Sequence, residues 1–286
     1  MIKIEDIKSI ISKNQKIWDD NVESKKLCTI PWLNLNMELL NDFAEGNISG
    51  FDKQNGRINI PIIKKIRKLL YKNLKGKKVL CLASGGGQQS VVFSLLGADV
   101  TVADISQKQL NGDIMAAKHY GYKINTVLCS MTDLSFFSPE SFDIVFQPVS
   151  ICFVPDVFPV YLEVYKVLKP NGIYSVGHIN PATYPTSFVN GIDGWDRIGY
   201  RIASPYVGGA LLIDENGNEN MTKGEIDGEF RHLFIDIFCK LTEAGFNIKY
   251  VTEDERNLIK YDYPIDKEYE QGFSIVQRYF EVLSLK

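Results

Sequence analysis

Histidine is scarce in this chain, with three residues in 286, and the five cysteines (Cys28, Cys81, Cys129, Cys152 and Cys239) include no C-x-x-C pair. That spacing leaves no candidate for a Cys/His zinc site or a dithiol redox pair, and no bound metal is expected. Scattered cysteines, odd in number, fit a reducing, cytoplasmic setting. Long apolar runs are missing at the start, where MIKIEDIKSIISKNQKIWDD interleaves Ile with Lys, Glu and Asp. Neither a signal peptide nor a membrane span is expected from such a stretch. A dominant charge sign is missing as well, because 32 Lys and Arg stand against 35 Asp and Glu for a net −3. No general attraction to polyanions follows, so a nucleic-acid partner is not expected.

What is present is the composition of a folded globular protein, 45% apolar and 23% charged, in a length that suits one large α/β domain with an added cap. Apolar residues at helical spacing make the first twenty residues an amphipathic helix that must dock on something. Residues 28–60 contain Pro31, Gly46, Gly50 and Gly56 and read as short helices and loops. A helix over 61–74 follows Pro61, with Lys64, Lys65, Arg67 and Lys68 read as its solvated face.

From Lys77 onward, short apolar runs alternate with helical segments. The strands are predicted at 79–83, 99–104, 124–129, 142–147 and 172–179, with helices from Gln88, over 106–119 and over 157–168. This is the pattern of a parallel sheet covered on both faces. The 180–225 stretch breaks it with Gly, Pro, Tyr and an Asn216-Gly217 turn, and reads as an inserted lid. A helix over 227–245 ending at Gly245 and strands near 247–253 and 275–284 complete the reading.

The chemistry gathers around VLCLASGGGQQS (79–90), an apolar strand running into three glycines and then a helix. Glycines there let a ligand approach the main chain at the strand's carboxyl end, although a tight turn alone would also use them. About 20 residues on, the next strand ends in Asp104, where an acidic side chain can accept both ribose hydroxyls; an N-cap role is the alternative. Gly85, Gly87 and Ser90 also approximate a dinucleotide fingerprint, but Gln88 and Gln89 crowd the place a pyrophosphate needs. Cys81, among apolar strand neighbours, reads as a small core residue.

With VTVADIS (100–106), CSMTDLS (129–135), FDIVFQPVSICFVPDV (142–157) and YKVLKPNGIY (165–174), the segment from about 77 to 180 resembles the class I S-adenosylmethionine-dependent methyltransferases of the type 11 group. The resemblance implies a Rossmann-like seven-stranded α/β sheet with an antiparallel last strand, formed by residues 61–286 and capped by helices in 1–60. It implies S-adenosylmethionine as cofactor. Carried over residue by residue, Ala83, Ser84, Gly85, Gly86 and Gly87 lie beside its methionine part, Gln88 and Gln89 continue the cofactor-binding stretch, and Asp104 holds the ribose. Ile105, Ser130, Met131 and Thr132 then line the adenine, with Gln147 and Pro148 near the methionine amino group and methyl.

The expected acceptor is a small molecule, because the residues after FDIVF are Gln147-Pro148-Val149 and lack an Asn-Pro-Pro-Tyr amine-binding motif. Direct displacement from a sulfonium needs alignment more than acid or base. If the acceptor must lose a proton, His178 and His232 are the candidate bases. Asn180, Trp195, Tyr200, Arg201 and Tyr206 are candidate substrate-lining groups. An inactive adenosyl-ligand binder and an NAD-dependent oxidoreductase stand as the alternative readings.

Overall fold

In the computed structural model the described residues are 4–46, 64–181, 229–230, 232–253 and 279–286. The amphipathic start forms α1 (Ile4–Glu23), and Asn36, whose side chain accepts from the N–H groups of Glu38 and Leu39, caps α2 (Met37–Ala44). Next comes α3 (Lys64–Tyr71), and residues 61–63, where the sequence places the helix start, lie outside the described residues. Arg67 corrects the reading of a uniformly solvated face. It is 1% exposed, with its guanidinium 5.3 Å from the Phe43 ring centre, because α2 covers that side of α3.

The alternating region gives β1 (Lys78–Leu82), α4 (Gln89–Leu95), β2 (Asp99–Asp104), α5 (Gln107–Tyr120), β3 (Asn125–Leu128) and β4 (Phe142–Gln147). It continues with α6 (Phe158–Val167) and β5 (Leu168–Ile179), and then α7 (Phe234–Glu243), β6 (Asn247–Glu253) and β7 (Tyr279–Leu285). The last helix begins later than its sequence pattern suggests, where the Asp236 carboxylate reaches back to the Leu233 N–H at 3.0 Å.

The sheet order is β3-β2-β1-β4-β5-β7-β6, with β7 antiparallel to both its neighbours and the other pairings parallel. Strand alternation splits the core in two. Val79, Cys81, Val100, Val102, Ile144 and Phe146 pack with Phe43, Ile66 and Phe93 on one face. Leu80, Leu82, Val145, Tyr174, Val176 and Val282 pack with Tyr161, Val164 and Ile237 on the other. Cys81, fully buried in the first of these, is the core residue its alternation implied. The order reverses between β1 and β4, and at such a switch point the helices leave on opposite faces and open a crevice at the strands' carboxyl ends.

Candidate active site

The crevice is built by the backbone leaving β1. Ala83 sits at φ 45°, a left-handed conformation that ends the strand, and Gly86 and Gly87 follow at φ 99° and 72°. A Cβ on Gly87 would stand 2.6 Å from the Gly112 carbonyl oxygen, so glycine is required where the loop crosses α5.

Two buried carboxylates hold this loop. Asp104 Oδ2 accepts the Gly85 N–H at 2.9 Å while Oδ1 accepts the Ser106 N–H at 2.9 Å. The N-cap of α5 is Ser106, whose hydroxyl accepts from Gln109 N, so Asp104 is not the cap. Burial pushes the Asp104 carboxyl up to about 6, against the pull of the N–H groups of Ser106, Gly85 and Ile105. Asp113 completes the pair: Oδ2 accepts the Gly86 N–H at 3.0 Å and Oδ1 takes the Ser90 hydroxyl. Burial, with the Asp104 charge adding to it, pushes Asp113 up to about 7.

Sequence reasoning missed Asp113. Its signal was a carboxylate on the same stripe as Leu110, Ala116 and Ala117, the buried face of α5. The pair also decides what the loop can bind. A pyrophosphate site needs free N–H groups at a helix start; here Gly85 and Gly86 donate to carboxylates, which repel phosphate.

Residues 30–35 lie over the loop. The Trp32 N–H donates to the Gly87 carbonyl at 2.9 Å, the Gln88 amide donates to the Ile30 carbonyl at 3.0 Å, and Tyr120 OH ties Trp32 O to Leu35 N. On the other side α1 runs past the Ser106 turn, where its Asp19 carboxylate accepts the Ser106 hydroxyl at 2.5 Å. Farther along α1, Asn14 Nδ2 donates to the Phe153 carbonyl at 2.9 Å.

Between these walls lies a cavity of ≈ 970 Å³. Ala83, Ser84, Gly85, Gln88, Gln89, Asp104, Ile105, Ser130, Met131 and Pro148 all line it, so the structure gathers most of the proposed cofactor residues on one surface. Gly86 and Gly87 sit behind that surface, against α5. Thr132 lies 2.8 Å from the Ser130 hydroxyl. Gln147, 1% exposed, accepts from Tyr174 OH at 2.6 Å and donates to Ser150, supporting the wall from beneath.

The histidines lie elsewhere. His178, a candidate base, shares the face of Tyr174 and Val176 and stacks on Phe280 at 5.3 Å. Its neighbour Ile179 is the residue that turns toward Trp18, Val149 and Phe153. Burial pushes His178 down to about 3, so the imidazole is neutral. His232 is held by the carbonyls of Val154 and Ile151, with burial lowering its pKa, and it anchors the turn together with the Phe230 N–H on Cys152 O. Neither histidine lines the cavity, nor does the buried Asn180. Trp195, Tyr200, Arg201, Tyr206 and the 180–225 insert apart from its first two residues lie outside the described residues.

Residues 80–176 match the methyltransferase domain family. Over 251 residues the chain is 35% identical to an uncharacterized methyltransferase of Bacillus subtilis, YbaJ, spanning 88% of this chain and 93% of that protein. The chain belongs to this methyltransferase family. A ubiquinone biosynthesis O-methyltransferase of Pseudomonas syringae is 32% identical over 114 residues, 39% of this chain and 49% of its own. The fold is that of an S-adenosylmethionine-dependent methyltransferase from Mesorhizobium loti, at TM-score 0.59 and 18% identity over 78% of this chain and 97% of that one. The protein is thus a class I S-adenosylmethionine-dependent methyltransferase. The Asp104 carboxylate, with about four acceptor sites, lines the cavity and is met by the N–H groups of Gly85, Ser106 and Ile105, which leaves acceptor capacity for a hydroxyl.

Proposed function

We propose that this methyltransferase acts on a small molecule held beside the cofactor in the 970 Å³ cavity, under a cap formed by residues 1–60 on the 61–286 domain. The observation that carries this reading is the enclosure of one cavity by the cofactor loop on one side and by α1 and residues 30–34 on the other. Small-ligand sites span roughly 300–1,000 Å³, so this one has room for a cofactor and a second compact ligand.

Asp104 receives the ribose hydroxyls, Ile105, Ser130 and Met131 border the adenine, and Ala83, Ser84, Gly85, Gln88 and Gln89 border the amino-acid end. When bound, S-adenosylmethionine supplies a methyl group on a sulfonium centre. The protein's part is to fix the acceptor in line and exclude water; positioning of this kind is worth roughly 7–11 kcal/mol. The five free cysteines support a cytoplasmic setting, and among the described residues no helix is long and apolar enough to cross a membrane.

The test is thermal denaturation with ligands. S-adenosylmethionine and S-adenosylhomocysteine each raise Tm, because a ligand at 100 times its Kd adds about 2.7 kcal/mol, while NAD leaves Tm unchanged. Stabilisation by NAD alone would overturn the reading.

A further inference from the structure

The loop after β1 is made of residues that cannot hold themselves in place. Gly85, Gly86 and Gly87 have no side chains, and glycine loses more backbone freedom on ordering than any other residue. Whatever fixes them must come from outside the loop, and α5 supplies it. Gly112 stands inside that helix, where glycine is unfavourable, and a Cβ on it would meet the Gly86 main chain at 3.0 Å. The missing side chain lets α5 lie directly on the loop. Its next residue, Asp113, is fully buried there. The Gly86 N–H is shared between the Gln109 carbonyl and Asp113 Oδ2, each at 3.0 Å, while Asp113 Oδ1 takes the hydroxyl of Ser90 in the first turn of α4. One carboxylate therefore clamps the loop to the helix that follows it. Asp113 does not line the cavity, so it acts only through these partners.

We propose that Asp113 is a positioning residue for the amino-acid end of the cofactor, pre-forming through Gly86 and Ser90 the surface on which that end rests. The proposal rests on the cofactor reading above. A loop already ordered by a rigid helix leaves the ligand little ordering to do, whereas a free glycine loop would subtract that cost from affinity. The ribose end is set separately, because Asp104 belongs to β2 and keeps the Ser106 N–H whatever the loop does. Loss of Asp113 should thus fall on one end of the ligand.

The experiment compares binding of S-adenosylhomocysteine with that of 5′-methylthioadenosine, which has the same adenosine and sulfur but no amino-acid end. In the unmodified full chain S-adenosylhomocysteine binds about tenfold or more the tighter of the two, the worth of hydrogen bonds to charged groups. In Asp113→Ala this ratio falls about fivefold to thirtyfold, equivalent to the ordering of one residue's backbone, while methylthioadenosine affinity stays within about threefold, as for a separate site. Ser90→Ala, which frees one end of the clamp, lowers the ratio in the same direction. Asp113→Asn restores it, since the amide oxygen can accept the Gly86 N–H and the amide nitrogen can donate to the Ser90 hydroxyl. A residue that only stabilises the fold would lower Tm and weaken both ligands alike. A ratio unchanged in both alanine variants, equal weakening of the two ligands, an asparagine variant as impaired as the alanine one, or equal affinities in the unmodified chain would each overturn the proposal. Failure of the unmodified chain to bind S-adenosylhomocysteine would overturn the cofactor reading beneath it.

Discussion

At the scale of single residues, Asp104 has two duties that pull on one carboxylate. It holds the Gly85 loop and lines the cavity from a position only 7% exposed. Asp104→Ala is expected to weaken S-adenosylhomocysteine binding roughly tenfold to a hundredfold, matching about 1.5–3 kcal/mol for hydrogen bonds to a charged group. Calorimetry checks this, and unchanged affinity would remove Asp104 from the cofactor site. His178 is the opposite case, a buried ring with Nε2 unpartnered among the described residues. His178→Leu should leave cofactor affinity unaltered and Tm equal or slightly higher, since an apolar group of similar volume replaces an unsatisfied one. A large loss of turnover at unchanged Tm would return His178 to the list of catalytic candidates.

At the scale of elements, α1 is the part whose docking is tied to both ends of the cavity. Asp19 on Ser106 and Glu23 on Lys108 attach it to the start of α5, and Asn14 and Trp18 attach it to the turn at Phe153. The contacts with Lys108 are exposed and contribute little. The Ser106 hydroxyl matters more, because it caps α5 and meets Asp19 two residues beyond Asp104. Cofactor binding and α1 docking should therefore support each other. Hydrogen exchange of residues 8–23 is expected to slow when S-adenosylhomocysteine is added and to slow less in Ser106→Ala, which also loses about 1 kcal/mol with its cap. Equal protection with and without ligand would make α1 a fixed packing element.

For the whole molecule, the buried ionisable groups set a pH dependence of stability. Folding raises Asp113 to about 7 and Glu281 to about 8, chiefly through burial, so the folded state holds protons that the unfolded chain has already released. Stability from these groups is lost as pH rises through those values. Burial lowers His178 to about 3 and shifts His232 the same way, so their contribution is lost instead as pH falls below the unfolded histidine value of about 6.5. Among these groups, the carboxylates are the ones that act above pH 6.5. Tm of the free protein should fall between pH 6.5 and 8.5, and Asp113→Asn, which keeps an acceptor for Gly86 and discards the charge, should flatten the decline. A wild-type Tm that rises over this interval would contradict the burial of these groups.

The strand and helix periods, the glycines after β1 and the acid at the end of β2 were legible in the chain because each is a local pattern. Strands alternate or run apolar over a few residues, and a loop that must pass close to a helix needs glycine wherever a Cβ would collide. Those patterns sufficed for the sheet and its family. The tertiary structure alone decided which side chains meet across long separations. Asp113 reaches Gly86 only because α5 packs on the loop, and Asn14 meets Phe153 only because α1 crosses the crevice. It also decided that His178 faces the α6 and α7 layer while Ile179 faces α1. Successive residues of a strand point to opposite faces, so the choice depends on the register of β5 with β7, where His178 sits opposite Phe280.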